Sequence, residues 1–542
     1  MNNNQSIELT IIDNIKLLYG KALDSQKDND GQQALSYYTQ AVHQLESITN
    51  SSQDINQLRY DIFYNICNLY IKQYNVTLAN AFIDKAMQMA HKLQQQDKIG
   101  KCIDLQGEIK RLNGDYEGAL KDHNKSVEIK FKIDNKQGLE VAHSYHNIGI
   151  VYDHQGKYDD AVSMYEKSLK IKLSALGNNH PSIATTYHSI GLVNAHQGKY
   201  DAAITMYEKS LQINLSVLGD NHPSIATAYS NMGLVYDAQG KYDDAVSMYK
   251  KSLKIQLSAL SDNHPNIAET YHNMGNVNYH QGNYDQAVSM YEKSLKIQVS
   301  SLGDNHPYIA ITYNNIGKVY SDQGKYDDAV SMYEKSLNIQ LSADGDSHPN
   351  VAITYINIGT VYNHQGKYDD AVIMYEKSLK IQVSALGDKH PRVAVTYYNI
   401  GNAYRNQGKY VDAISMYNKS LEIDLSALGD NHPRIAITYN KMGIAYHDQG
   451  KCGDAMSFYE RAISILVDAH LENHPDLVNF YDNIANCYDQ QNRHDEATEA
   501  RKKSNSIRSN LKGTGTSYQT STSQGIYNIF SYYCGVSIYL FN

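Results

Sequence analysis

Tryptophan is absent from this chain of 542 residues, phenylalanine occurs seven times and proline eight. Aromatic packing therefore falls on 47 tyrosines, a compositional bias that sets Tyr where other chains carry Trp or Phe. Cysteine is scarce too. Cys67, Cys102, Cys452, Cys487 and Cys534 show no CxxC spacing, which fits reduced thiols, incidental or packed in a core, better than a disulfide framework. No basic block occurs, and 58 acidic against 49 basic residues leave a net charge of -9, so nucleic acid is not an expected partner. The opening MNNNQSIELTIIDNIKLLYG lacks the basic and apolar regions of a signal peptide; a cytoplasmic location is expected. A hydrophobic fraction of 42% is enough to build an extended core and excludes wholesale disorder.

The few prolines are ordered. All eight, from Pro181, Pro223 and Pro265 to Pro475, follow a histidine and stand 42 residues apart. Two glycine series keep the same step, Gly107 to Gly443 and Gly114 to Gly450. Ten units in register result, from about Lys101 to Ser509. In the unit Pro181–His222, Ile183, Tyr187, Ile190 and Val193 recur at helical spacing, as do Tyr200, Ala203, Met206, Tyr207, Leu211 and Ile213, which predicts two amphipathic helices. Pro181 suits a first helical turn, where its missing N–H has no partner to lose. Gly198 suits a left-handed C-terminal cap. Gly191 falls inside a helix, where glycine costs about 1 kcal/mol relative to alanine; close packing of the paired helix at Ala203 is the expected reason. One such pair cannot bury both faces, so neighbours must stack.

Tyr187, Ile190-Gly191, Asn194, Ala203, Tyr207 and Ser210, followed by Tyr229, Met232-Gly233, Tyr236, Ala245, Tyr249 and Ser252, resemble the tetratricopeptide repeat. The 42-residue length with its LGDNHPxIA linker is similar to the kinesin light chain and nephrocystin kind. The resemblance implies an all-α solenoid, a right-handed superhelix of stacked helix-turn-helix units. Residues 1–100 read as two divergent hairpins forming an N-terminal cap, 101–509 as ten tandem repeats, and 510–542 as a Gly/Ser/Thr linker with an apolar tail too short for a confident membrane span. No sustained heptad pattern precedes the array, in contrast to a kinesin light chain.

No phosphate loop accompanies the recurring QGKY. The file of histidines before the prolines cannot converge on one metal ion, since equivalent positions in stacked repeats stand roughly 10 Å apart; a turn-stabilising role is expected of it. Neither catalytic residues nor a metal site nor a cofactor is expected, because every candidate recurs by repeat position. The resemblance implies that the first helix of each unit lines a groove for a peptide or helix of a partner protein. Asparagine recurs there two positions after the aromatic, at Asn147, Asn231, Asn273, Asn315, Asn357, Asn399 and Asn483. It is a mediocre helix former; its amides either meet a partner's main chain or bond the adjacent helix. His188, His272, Lys318 and Arg405 are further groove candidates. A protein-binding scaffold or adaptor, carrying cargo or signalling components, is the leading function; a self-assembling structural array is the alternative.

Overall fold

The computed structural model describes residues 3–27, 30–48, 52–134, 138–343 and 345–513. The apolar tail, from residue 514 onward, lies outside the described residues. Everything regular among the described residues is helical, and no helix there is long and apolar enough to cross a membrane.

Twenty-four described helices pair into twelve antiparallel hairpins, and the chain divides into two compact units, Met1–Asp262 and Asn263–Asn542. Unit 1 comprises α1 (Asn3–Lys27), α2 (Gly31–Glu46), α3 (Gln53–Lys72), α4 (Val76–Leu93), α5 (Gln96–Leu112), α6 (Tyr116–Asp134), α7 (Leu139–His154), α8 (Tyr158–Leu176), α9 (Pro181–His196), α10 (Tyr200–Leu218), α11 (Pro223–Ala238) and α12 (Tyr242–Ala259). Unit 2 comprises α13 (Pro265–His280), α14 (Tyr284–Leu302), α15 (Pro307–Asp322), α16 (Tyr326–Ala343), α17 (Pro349–His364), α18 (Tyr368–Leu386), α19 (Pro391–Asn406), α20 (Tyr410–Leu428), α21 (Pro433–Asp448), α22 (Cys452–Asp468), α23 (Pro475–Gln490) and α24 (His494–Gly513).

Each hairpin is punctuated by its own residues. The histidine before every proline is the N-cap: Nδ1 of His180 accepts from the Ser182 N–H at 3.2 Å, and His432 does the same for Arg434 at 3.2 Å. This is the turn-stabilising role expected of the file, and it requires the ring proton to sit on Nε2. At the other end Gly198 takes φ +72°, and the Lys199 N–H reaches back to the Asn194 carbonyl at 2.8 Å, closing the last turn.

Packing within a hairpin explains the mid-helix glycine. A Cβ on Gly191 would stand 2.8 Å from Tyr207 Cε1 and 3.3 Å from the Ala203 carbonyl oxygen. The close approach inferred at Ala203 is real, but the tyrosine ring claims most of the space. A buried serine then ties the two helices: Ser252 Oγ donates to the Ala226 carbonyl at 2.8 Å and Ser294 Oγ to the Ala268 carbonyl at 2.7 Å. This accounts for serine where an apolar small residue would pack equally well. Between hairpins apolar contacts form the core, as where Ala161 and Tyr165 meet Ile190 and Val193 of the next pair. The repeat's stability thus depends on its neighbours.

Candidate peptide-binding face

In the first helix of a hairpin, one side is committed to the core. On α15 these residues are Ile309, Ala310, Thr312, Ile316 and Val319, all buried. At 100° per residue, Ile311, Asn315, Lys318 and Asp322 form a stripe on the opposite side, and each is half-buried. The same stripe on α17 is Ile353, Asn357, Thr360 and His364, and on α19 it is Val395, Asn399, Asn402 and Asn406. First helices of successive hairpins touch, α15 with α17, α17 with α19 and α19 with α21. In unit 2 their stripes therefore lie side by side.

The stripe has four rows. Its first row is aliphatic on four consecutive hairpins of unit 2, where Ile311, Ile353, Val395 and Ile437 are all half-buried, and it is bounded by the polar Glu269 on α13 and Asn479 on α23. In unit 1 the corresponding His143, Thr185 and Thr227 are polar and exposed. The second row is the asparagine series. Asn315 Nδ2 lies 3.0 Å from His272 Nε2, while Asn357 donates to Asn314 Oδ1 at 3.4 Å and Asn483 to Asn440 Oδ1 at 3.0 Å. In unit 1, Asn231 Nδ2 is 3.0 Å from His188 Nε2, and Asn147 Nδ2 is 3.4 Å from His143 Nδ1 on its own helix. Asn273 and Asn399 are buried. Four of the seven asparagines thus spend an amide N–H on the first helix of the preceding hairpin, which is the second of the two roles open to them from sequence.

His272 is a correction. It is only 2% exposed, its ring packs at 5.2 Å from that of Tyr291, and Asn315 and Thr312 engage its nitrogens. It holds helices together and presents no face to a groove, because its position on the helix turns it toward the partner helix of the hairpin. His188 is placed likewise against Tyr207, with ring centroids 5.2 Å apart, and remains half-buried. Burial pushes both imidazoles down to about 4, so they are neutral near pH 7.

The cations fare differently. Lys318 Nζ sits 4.7 Å from the centre of the Tyr279 ring, whose hydroxyl donates to Asp322 Oδ2 at 2.6 Å. Burial holds the Lys318 ammonium below its usual range against the opposing pull of Asp322. Arg405 donates through Nη2 to Asn406 Oδ1 at 3.0 Å, and Nη1 lies 3.8 Å from Asp448. Lys318 is anchored on the stripe by a ring of the preceding hairpin, whereas Arg405 lies beside the stripe, held by Asn406 of its own helix and Asp448 of α21.

Sequence reasoning missed one grouping. Cys452, Cys487 and His447 converge, with one ligand atom from each within 4.8 Å of the others. Spacing within the chain hides it, because residues of two hairpins contribute. The available signal was departure from the repeat, with cysteine at two positions where other hairpins carry tyrosine and valine or alanine.

A family model for the tetratricopeptide repeat matches residues 102–174, 182–258, 266–342, 312–384, 350–426 and 392–468. Among solved structures, the chain is similar to BtubC (BKLC) from P. vanneervenii, with 21% identity over 42% of this chain and 92% of that one and a TM-score of 0.38. A Podosopora anserina chain described as a kinesin light chain of nearly identical TPR-like repeats is 22% identical over 38% of this chain and 98% of its own, with a TM-score of 0.35. The apo form of the quorum sensor NprR from B. thuringiensis is 17% identical, covering 68% of this chain and 99% of that one, with a TM-score of 0.47. No curated protein matches the chain.

Proposed function

Because the chain belongs to the tetratricopeptide repeat family, whose fold is typically a non-enzymatic protein-interaction scaffold, we propose that its first-helix face in unit 2 holds an extended segment of a partner protein. The observation that carries this reading is the row Ile311, Ile353, Val395 and Ile437, one half-buried aliphatic residue from each of four consecutive hairpins. Lone exposed aliphatics need no explanation, but a contiguous file of them marks an interaction surface. The corresponding row of unit 1 is polar, so repetition alone does not demand it.

Geometry suggests what fits. Helices packed side by side stand about 8–10 Å apart, and a chain in the extended polyproline II conformation rises about 3.1 Å per residue with three residues per turn, so every third side chain shares one face. A partner with an aliphatic side chain at every third residue therefore meets one pocket per hairpin. Asparagine carbonyls along the second row supply acceptors for its main chain, and Lys318 supplies positive charge in the third. An adaptor function follows, in which the scaffold displays one protein segment to others.

The test is a peptide library displayed on phage, selected against the full chain and counter-selected against the double variant Ile353→Asp, Val395→Asp. Selected peptides are expected to show an aliphatic repeat of three and to lose affinity for the variant by tenfold or more, about 1.4 kcal/mol. The melting temperature should stay close to that of the parent, since both side chains lie on the open face. Peptides that bind parent and variant equally well would place the site elsewhere.

A further inference from the structure

Cys452 and Cys487 occupy two positions that touch each other across successive hairpins. In other repeats the first of these positions is tyrosine at the start of the second helix, and the second is valine or alanine two residues after the mid-helix glycine. Tyr158 packs with Val193 in this way, and Tyr326 with Val361. At the end of the array, Cys452 opens α22 and Cys487 lies on α23, in one shared cluster. His447, from the last turn of α21, completes the group with its ring nitrogen and the two Sγ atoms mutually within 4.8 Å. Among the described residues no other set of three His, Cys, Asp or Glu side chains converges in this way.

Two further observations point to a ligand. His447 Nε2 is buried and has no hydrogen-bond partner, an arrangement that costs free energy unless something accepts its lone pair or proton. Its Nδ1 lies 3.8 Å from an Asp448 carboxylate oxygen, within ion-pair reach but beyond hydrogen-bond distance, so Nε2 is the nitrogen left to meet a ligand. Cys452 Sγ donates to Gln490 Oε1 at 2.9 Å, so an oxygen stands ready beside the thiols.

We propose that Cys452, Cys487 and His447 form a zinc site that clips the hairpin α21–α22 to the last hairpin α23–α24. Two thiolates and an imidazole are the donors zinc prefers, at about 2.3 Å for sulfur and 2.0–2.1 Å for nitrogen. Tetrahedral donors at those lengths are about 3.4–3.8 Å apart, so the three side chains need to close by at most about 1 Å. Zinc binding replaces two thiol protons, which leave to solvent, and the resulting pair of thiolates with one divalent ion is neutral. A neutral site suits a place where Cys487 is buried, since an unpaired charge would not. The fourth position is left for the Gln490 amide oxygen or water. A disulfide between Cys452 and Cys487 leaves the unpaired His447 nitrogen unexplained and is the competing outcome.

The experiment uses the full chain, reduced and freed of metal, titrated with zinc against a chromophoric chelator. One zinc per chain is expected, with two protons released and a higher melting temperature. Cobalt(II) in its place should give a thiolate charge-transfer band. Cys452→Tyr and Cys487→Ala install residues that other hairpins carry at these positions, so the fold is kept, and each should weaken zinc binding by about 100-fold or more. Wild-type protein that takes up no stoichiometric zinc, or cobalt without a charge-transfer band, overturns the proposal. So do variants that bind like the parent, and so does a Cys452–Cys487 disulfide that forms readily in a chain indifferent to zinc.

Discussion

Alanine at Gly401 sets helix propensity against packing, and the structure says which wins. Gly401 lies inside α19, where alanine is favoured by about 1 kcal/mol. Its new Cβ would stand 2.6 Å from Tyr417 Cε1, 2.8 Å from Cδ1 and 3.2 Å from the Ala413 carbonyl oxygen. The ring cannot give way cheaply, because Tyr417 is 0% exposed and its hydroxyl donates to Asn402 Oδ1 at 2.8 Å. The carbonyl belongs to the backbone of α20. Overpacking costs about 1–3 kcal/mol and the strained hydrogen bond about 1 kcal/mol more, so Gly401→Ala should destabilise by about 1–3 kcal/mol after the propensity gain. Gly453→Ala is the control: it lies in the first turn of α22, and its Cβ would meet nothing within 4 Å, so stability should rise by up to about 1 kcal/mol. Urea denaturation of the full chain, followed by circular dichroism, measures both. Tyr417→Leu should couple favourably with Gly401→Ala in a double-mutant cycle. A Gly401→Ala chain whose midpoint rises as the Gly453→Ala midpoint does would refute the assignment of that glycine to the tyrosine's space.

His432→Ala removes an N-cap and should cost about 1 kcal/mol, with His432→Asn recovering most of it. Burial, then the neighbouring arginine, holds His432 and His390 below their ordinary values. The unfolded chain therefore takes up these protons first; the stability they contribute is complete above about pH 6.5 and is lost as pH falls through the folded values. Comparing denaturation midpoints of parent and His432→Asn from pH 7 down to pH 4 checks this, and identical pH profiles would exclude the neutral-imidazole cap. The triple variant Asn315→Ala, Asn357→Ala, Asn483→Ala loses three bonds between hairpins and should melt lower, each bond being worth about 0.5–1.5 kcal/mol. An unchanged or raised melting temperature would mean that these amides serve only a bound partner.

Whatever depends on neighbours along the chain is legible in the amino-acid sequence alone. Pro181 after His180 starts a helix because a fixed φ and a missing N–H suit only that place, and Gly198 ends it because φ of +72° strains other residues. The spacing of Tyr187, Ile190 and Val193 marks the buried side, and a 42-residue step makes every hairpin alike. From these local rules follow the helices, their pairing and the family. Tertiary structure decided what depends on stacking. Positions 43 residues apart become neighbours only when two hairpins lie side by side, which is how Asn315 comes to bond His272 and why that histidine is buried instead of facing a groove. The aliphatic row from Ile311 to Ile437 is a row for the same reason. Cys452 and Cys487, 35 residues apart, are unrelated by any motif; they meet because the start of one hairpin's second helix packs on the first helix of the next.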